Sequence, residues 1–305
     1  MSAAPLMKLA LTNLQHSLVA LLVLVLMPPS PVLAAGNSIA AIESDGKQLV
    51  LAAPARRIVS LSPHITELLF AAGAGDRLVG AVEYSDYPAS AKNIRRIGSA
   101  FKVDMEALVS LQPDLVVAWT SGNSASDIAM IKRLGIPVFY SDPKKLSDIP
   151  EHIRKLAQLT ATDDIADRAA RKFTRKYLAL KARFSSTHKV PVFYQLWHQP
   201  IMTVNKDHLI NDVIELCGGA NVFALLSSLT PVVGVEDVIA ARPEYIIASS
   251  VERFELTARW ARWTGTTATR ENRMITVPAD LLHRQGPRIL QAAEIMCEGL
   301  AAARS

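Results

Sequence analysis

The chain has 305 residues, 50% of them apolar, and its formal charge is 33 − 28 = +5. That length and apolar content suffice for two domains, each with its own hydrophobic core. The basic residues are scattered without an aromatic-interleaved basic stripe, which argues against a nucleic-acid partner.

The N-terminal residues predict export. Lys8 lies in a mildly basic leader, residues 18–27 are uninterruptedly apolar, and Val32-Leu33-Ala34 fits a small-residue cleavage pattern. The apolar stretch is short for a bilayer, so we expect a signal peptide over 1–34, with an uncleaved anchor as the alternative. No cysteine directly follows this stretch, so the expected product is periplasmic and not lipid-anchored.

Apolar runs then alternate with amphipathic segments. Ser62-Pro63 opens a helix in the favoured order, and Gly73 lies just past its end. Strands that alternate with helices predict a parallel sheet covered on both faces. The predicted strands of this first half are 57–61, 78–82, 114–118 and 138–140, with a helix at about 125–134.

A long amphipathic helix is predicted between the two halves. Apolar residues recur at three-and-four spacing from Asp163 to Phe184, which corresponds to about six turns. A stiff helical connection predicts that the flanking lobes flex by small angles. The predicted domains are the signal peptide (1–34), an N-terminal lobe (35–162), the connecting helix (163–186) and a C-terminal lobe (187–305).

The second half repeats the alternation and holds both cysteines of the chain, Cys217 and Cys297. In an oxidising compartment their default state is one disulfide, which would join the helix at Cys217 to the last helix. Two buried free thiols are the alternative. The predicted strands are 190–195, 245–248 and 274–277, and the last helix is 287–302.

Two parts of the chain repeat one pattern. Residues 105–118 and 235–248 each contain a first-turn carboxylate, a short amphipathic helix, a proline and an apolar run, and residues 65–73 are echoed by 210–218. The repeat predicts an α/β fold of two similar Rossmann-like lobes with mostly parallel sheets. A cleft between two such lobes is where a small molecule binds.

The loops after the predicted strands are rich in aromatic, amide and small residues and hold few carboxylates. Parallel strands bring these loops to one edge of a sheet, where open α/β sheets bind ligands. The loops are 62–64, 84–87, 100–101, 119–123, 196–202 and 279–286.

Several motifs follow one another in a characteristic order. They are Ser60-Leu-Ser-Pro63 with Thr66-Glu-Leu, Tyr84-Ser-Asp-Tyr-Pro88, Pro113-Asp-Leu-Val-Val-Ala-Trp119, Cys217-Gly-Gly-Ala-Asn-Val-Phe223 and Pro287-Arg288. Singly, these motifs are shared by siderophore, haem and cobalamin receptors. As an ordered set with the cysteine pair, they resemble the periplasmic cobalamin-binding proteins of vitamin-uptake ABC importers.

The resemblance implies a transported ligand and no catalytic residue, cofactor or protein-bound metal. In that family the corrinoid lies flat between the lobes, held by aromatic rings and by polar contacts to its amide side chains. Tyr84 and Trp119 are implied for the first lobe, and Asp280 to Arg284 for the second. Phe101, Trp197 and Met202, which lie at or beside further family positions, complete the predicted ligand-binding set, which is Tyr84, Phe101, Trp119, Trp197, Met202, Asp280, Leu281, Leu282, His283 and Arg284.

The family also carries, on each lobe, a surface carboxylate that pairs with arginines of the permease. These positions fall on Glu106 and Glu236, which the internal repeat relates to each other. The implied partners are cobalamin or a related corrinoid and the permease and ATPase of an ABC importer, for a monomeric receptor. A first-turn carboxylate also stabilises a helix dipole by about 0.3 to 1 kcal/mol, and both roles are compatible.

The chain departs from the family where further aromatic residues are usual. Ala100, Met202 and Thr230 occupy such positions, although Phe101 and Trp197 lie beside matching ones. Fewer rings for stacking leave the ligand open between cobalamin, a corrinoid variant and another flat chelate.

Other functions compete with corrinoid capture. His64, His198 and His283, with Asp280, suggest a metal receptor, although dispersed histidines are weak evidence for a metal site. Haem and siderophore receptors share the expected architecture. An exported hydrolase is the remaining alternative, but Ser60-Leu-Ser62 lacks the glycines of a nucleophile elbow, and no zinc-protease motif or phosphate loop occurs.

Overall fold

Two parallel sheets joined by a long helix form the framework. The computed structural model describes residues 38–43, 46–185, 188–249 and 253–302. The predicted signal peptide lies outside these residues. The first half comprises β1 (Ile39–Ile42), β2 (Gln48–Leu51), β3 (Ile58–Ser60), α1 (Pro63–Ala71), β4 (Leu78–Ala81), α2 (Met105–Ser110), β5 (Leu115–Ala118), α3 (Ala125–Arg133), β6 (Val138–Tyr140) and α4 (Ile149–Thr160).

The connecting helix and the second half follow in the same alternating style. They comprise α5 (Asp163–Phe184), β7 (Val190–Gln195), β8 (Trp197–His198), β9 (Ile201–Met202), α6 (Leu209–Leu216), β10 (Gly219–Asn221), α7 (Val235–Ala240), β11 (Tyr245–Ser249), α8 (Arg253–Trp260), α9 (Thr267–Arg270), β12 (Met274–Val277), α10 (Ala279–Leu282) and α11 (Ile289–Ala301).

The two large sheets have the same topology. The first has strand order β4-β3-β5-β6 and the second β10-β7-β11-β12, and every neighbouring pair is parallel. In both, the strand that comes first in sequence lies second in the sheet. The prediction of two similar α/β lobes with parallel sheets is therefore confirmed.

Successive residues of a strand pack into different hydrophobic clusters on the two faces of the sheet. In β5, Leu115 and Val117 belong to one buried cluster, and Val116 and Ala118 to another. The first cluster continues through α4, α5, α6 and α11 into the second sheet, so the two lobes share one apolar core. Period-two burial on both faces explains why these strands are almost wholly apolar in sequence.

The internal repeat extends to the backbone. After α2 and α7, Gln112 and Arg242 adopt left-handed conformations with φ of 45° and 48°. Each precedes a proline, which disfavours the right-handed helical region for the residue before it. Next come Asp114 and Glu244, and each donates its N–H over 2.9 Å to a backbone carbonyl of the neighbouring strand segment. The repeat is thus a repeated helix stop and strand start.

Helix α5 has the bounds that its sequence pattern predicts. Its buried side chains recur along one face and end at Phe184. Although α5 has 22 residues, no helix within the described ranges is both long and apolar enough to span a membrane. The domain boundaries at either end of this helix remain predictions.

The two cysteines form a disulfide. Cys217 follows the last turn of α6 and Cys297 lies in α11, with their Cα atoms 4.4 Å apart. Both side chains are buried in the shared core. The disulfide prediction is confirmed, and the alternative of two free thiols is wrong.

Two short antiparallel hairpins were not predicted. β1 pairs with β2 at the start of the described chain, and β8 pairs with β9 directly after β7. β8 and β9 have two residues each, too few for an alternating pattern to be visible in sequence.

Candidate functional site

The side chain of Asn123 forms hydrogen bonds to three loops at the carboxyl edge of the first sheet. Its Nδ2 donates to the carbonyl oxygens of Leu61 and Ala100 over 2.9 and 2.8 Å, and its Oδ1 accepts from the Trp119 N–H over 2.6 Å. These loops follow β3, β4 and β5. Asn123 therefore joins three of the four first-lobe loops that the sequence selects.

The indole of Trp119 is held in one orientation. Its Nε1 donates to Asp142 Oδ1 over 3.1 Å, and the ring of His64 meets it edge-on with centroids 5.4 Å apart. On another side, a Cβ atom at Gly122 would lie 2.0 Å from the indole ring, so only glycine fits there. Burial lowers the pKa of His64 to about 4, which keeps this imidazole neutral at neutral pH.

Two of the predicted aromatic side chains of the first lobe are largely exposed. Tyr84 is 75% exposed and Phe101 is 74% exposed. Tyr84 also has a φ of 62°, a left-handed conformation that is uncommon for a bulky residue. Exposed aromatic residues and backbone outliers both concentrate at binding sites. Tyr84 and Phe101 thus have the exposure that contact with a ligand requires.

At the carboxyl edge of the second sheet, three side chains form a closed hydrogen-bonded group. The Tyr194 hydroxyl lies 2.8 Å from Ser249 Oγ and 2.9 Å from His283 Nε2, and Ser249 Oγ lies 2.6 Å from the same nitrogen. Burial lowers the pKa of His283, which the charge of Asp280 only partly offsets. This group positions the loop after β12 against the ends of β7 and β11.

The other second-lobe residues lie in different environments. Trp197 and Met202 are paired across the β8–β9 hairpin, and Trp197 is 54% exposed. Leu281 is half-buried, whereas Leu282 is 1% exposed and belongs to the shared core. Leu282 therefore anchors α10, and in this structure it offers a ligand no surface.

The loops of the two lobes meet at Arg284. Its Nη1 lies 2.7 Å from Asp86 Oδ1 and 3.2 Å from Glu67 Oε1, both in the first lobe, and its Nη2 lies 2.9 Å from Asp280 Oδ1. Burial alone would raise the pKa of Asp86, but the hydrogen bond and charge of Arg284 outweigh it and lower that pKa. The loops at the carboxyl edges of the two sheets thus meet at this group, and the region between the lobes around it is called the cleft below.

Arg288 makes a second connection between the lobes. Its Nε and Nη2 contact the two carboxylate oxygens of Glu67 at 3.0 and 2.6 Å, and its guanidinium lies 4.0 Å from the ring centroid of Tyr87. The predicted set of ligand-binding residues did not include Glu67, Asp86, Tyr87 or Arg288, although the selected loop 84–87 contains two of them. All four nevertheless lie inside the motifs that carry the family resemblance, and this position in the motifs could have identified them from the sequence.

Two cavities lie near these residues. One of about 410 Å³ is lined by Trp119, Asn123 and Tyr140, so the indole borders open volume. Another of about 430 Å³ lies among α1, α5 and the start of α11 and contains none of the predicted ligand-binding residues. Arg288 and Glu67 line this second cavity.

The three histidines of the metal alternative are dispersed. His64 is buried with Nδ1 2.6 Å from Ser62 Oγ, His198 lies on the exposed β8 strand, and His283 belongs to the tyrosine–serine group. Over the described ranges, no three His, Cys, Asp or Glu side chains are grouped so that they could hold a metal ion.

The predicted docking carboxylates are exposed in equivalent first turns. Glu106 lies in α2 and Glu236 in α7, and neither has an ion-pair partner in the described parts of the chain. Other carboxylates bond to the backbone at both helix starts. Asp104, the N-cap of α2, accepts from the Ala107 N–H over 2.9 Å, and Asp237, in the first turn of α7, accepts from the N–H of the N-cap residue Gly234 over 2.8 Å. Glu106 and Glu236 are therefore not needed as caps.

Comparison with known sequences gives one consistent family. A family model described as "Periplasmic binding protein" matches residues 58–281. The chain is 37% identical over 246 residues to a protein of Vibrio parahaemolyticus named vitamin B12-binding protein, covering 80% of this chain and 89% of that relative. A Yersinia pestis protein of the same name is 36% identical over 247 residues, covering 81% of this chain and 87% of the relative.

Solved structures give the same result for the fold. The periplasmic vitamin B12 binding protein BtuF of Vibrio cholerae superposes with a TM-score of 0.76 at 34% identity, covering 83% of this chain and 99% of that one. The periplasmic heme-binding protein RhuT of Roseiflexus sp. RS-1 superposes with a TM-score of 0.72 at 25% identity, covering 82% and 99%.

Proposed function

Because the chain belongs to the periplasmic binding protein family, we propose that it captures cobalamin or a related corrinoid between its lobes and delivers it to an ABC importer. The names of the vitamin B12-binding relatives support the corrinoid over haem, since the haem-binding structure is the less similar one.

The observation that carries this proposal is the exposure of aromatic side chains around the cleft. Tyr84 and Phe101 on the first lobe and Trp197 on the second are each more than half exposed. A flat macrocycle with amide side chains fits such a site, because rings stack on its faces while polar groups bind its edge. Asp280, His283 and Arg284 supply hydrogen-bonding groups beside the rings, with Trp119, Met202 and Leu281 as further contacts.

Export to the periplasm is part of the proposal. A signal peptide over 1–34 without a lipid anchor delivers the protein to an oxidising compartment. The Cys217–Cys297 disulfide supports that location, because disulfides persist outside the reducing cytosol.

Glu106 and Glu236 are the proposed contacts to the importer. Both carboxylates are exposed, lack ion-pair partners among the described residues and lie in the repeated helices α2 and α7. Two equivalent charges on two similar lobes suit a partner built from two similar subunits. Basic side chains of the permease are the complementary groups.

No catalytic step is part of the proposed function. The Ser62 hydroxyl lies 2.6 Å from His64 Nδ1, the arrangement that a hydrolase would require, but Ser62 is 1% exposed and His64 is 3% exposed. A substrate in the cleft has no access to this hydroxyl.

The test is direct binding. Purified mature protein is titrated with cyanocobalamin by calorimetry, and the mixture is desalted before its absorbance spectrum is recorded. We expect one corrinoid per chain and a corrinoid spectrum in the protein fraction. Absence of heat and of any melting-temperature shift at high micromolar cyanocobalamin contradicts the proposal. Tighter binding of haemin in a parallel titration assigns the protein to haem instead.

A further inference from the structure

Glu67 is a buried carboxylate that joins the two lobes. Its side chain is 2% exposed and lies on α1 of the first lobe, while both of its cationic partners belong to the second lobe. Its two oxygens meet Arg288 at 2.6 and 3.0 Å, and Oε1 also meets Arg284 at 3.2 Å. Bidentate contacts between arginine and a carboxylate fix orientation as well as distance.

The other carboxylates of this group are more exposed than Glu67. The side chain of Asp86 is 43% exposed and that of Asp280 is 68% exposed, whereas Arg284 is 9% exposed. Ion pairs of exposed carboxylates such as these are weak, because solvent screens them. Among these three carboxylates that contact Arg284, Glu67 is the buried one, and its contacts are therefore the least weakened by solvent.

Arg284 also has donors left over. An arginine carries five N–H donors, and the contacts to Glu67, Asp86 and Asp280 use three of them. The remaining two suit acceptors such as the amide carbonyls at the edge of a corrinoid. These two donors are the groups through which Arg284 would bind a ligand.

We infer that Glu67 is a positioning residue for ligand capture. By holding Arg284 and Arg288 against the first lobe, it fixes the lobe-to-lobe geometry in which Arg284 meets the ligand. This inference rests on the proposed function. It adds that part of the ligand affinity comes from a residue buried behind the binding surface, through preorganisation of the arginine.

The experiment compares cyanocobalamin affinities by calorimetry at 25 °C for the full mature chain. The variants are Glu67→Gln, Arg284→Gln and the double substitution. Glu151→Gln is the matched control, because Glu151 is exposed and pairs with Lys155 inside α4 of the first lobe. Thermal melts establish that each variant is folded at the temperature of the titration.

We expect the Kd to rise about tenfold for Glu67→Gln and by a similar factor for Arg284→Gln, since preorganisation of one group contributes on that order. The double variant should bind no more weakly than Arg284→Gln alone, because residues that act through one group are not additive. Glu151→Gln should leave the Kd unchanged.

Two results overturn the inference. One is a lowered melting temperature for Glu67→Gln with an unchanged Kd, which reduces Glu67 to a structural role. The other is additivity of the two substitutions, which excludes action through Arg284. If Glu67→Gln does not fold, Glu67→Asp keeps the charge but retracts it by one methylene, and an unchanged Kd for that variant overturns the inference equally. The titration of the wild type tests the proposed function separately. If the wild type does not bind cyanocobalamin, the proposed function fails before any variant is compared.

Discussion

Phe101 shows how a single residue can be weighed by its surroundings. It is 74% exposed in a loop that Asn123 ties to the ends of two neighbouring strands. Phe254 is 72% exposed on α8, in a part of the second lobe that holds none of the predicted ligand contacts. The two phenylalanines are matched in exposure and differ only in position.

Phe101→Ala should therefore weaken cyanocobalamin binding several-fold, because an aromatic contact contributes about 0.5 to 1.5 kcal/mol. Phe254→Ala should leave the Kd unchanged. Calorimetric titration of both variants measures the difference. Equal affinities for the two variants would remove Phe101 from the site.

Buried histidines make stability depend on pH. Burial lowers the pKa of His64 and of His152 to about 4 from 6.5. Between these values the unfolded chain binds more protons than the folded one, so the free energy of unfolding falls as pH decreases from about 6.5 to 4. Below that window these two groups add no further change.

His152→Gln isolates one of these contributions. Its imidazole lies 2.9 Å from Ser141 Oγ, a contact that glutamine can replace with its amide. We expect the wild type to lose about 2 kcal/mol more stability than the variant between pH 7.5 and 4.5. Urea unfolding at both pH values measures this loss. Parallel pH profiles for the two proteins would contradict the prediction.

At the level of elements, the duplicated helices α2 and α7 assign two roles to different carboxylates. One role is a hydrogen bond to the backbone at the helix start, and the other is the proposed contact with the importer. The carboxylates that bond to the backbone there are Asp104 and Asp237, and the neighbouring glutamates are exposed and make no such bond in the described parts of the chain. The sequence shows that carboxylates gather at both helix starts. Only the folded backbone reveals which oxygen reaches which N–H, because that depends on the entry angle of the chain.

The disulfide joins two other elements, α6 and α11, across 80 residues of chain. Closing a loop of that length stabilises the fold by about 4 to 5 kcal/mol in the chain-entropy model. Replacing both cysteines with alanine should lower the free energy of unfolding by about 2 to 5 kcal/mol, measured by urea denaturation. Reducing agent should destabilise the wild type and leave the variant unaffected. The prediction fails if the variant is as stable as the oxidised wild type.

On the scale of the whole molecule, the lobes are joined by more than α5. One apolar cluster runs through both sheets, and the Glu67–Arg284–Arg288 group adds a polar connection beside the cleft. A shared core of this extent favours small relative movements of the lobes, as the stiff connecting helix predicts.

Delivery to an importer belongs to the same scale. The double variant Glu106→Lys/Glu236→Lys should bind cyanocobalamin with unchanged affinity, because both side chains are exposed on helices that carry none of the proposed ligand contacts. Uptake into vesicles that contain the cognate importer should be abolished. Glu298→Lys, an exposed substitution on α11, is the control and should transport normally. Loss of ligand binding in the double variant would refute the docking role.

The sequence by itself determined the two-lobed α/β architecture and the bounds of α5, because periodicity and helix stops are local properties. It also determined which disulfide was possible, because the chain has only two cysteines. It also selected the loops at the carboxyl edges, since parallel strands leave those loops no other place. The tertiary structure alone decided that Leu282 is core and that Arg284 is bound by Glu67, 217 residues away. Burial and ion pairing between distant segments depend on how the lobes pack, and no local sequence pattern specifies which distant segments come into contact.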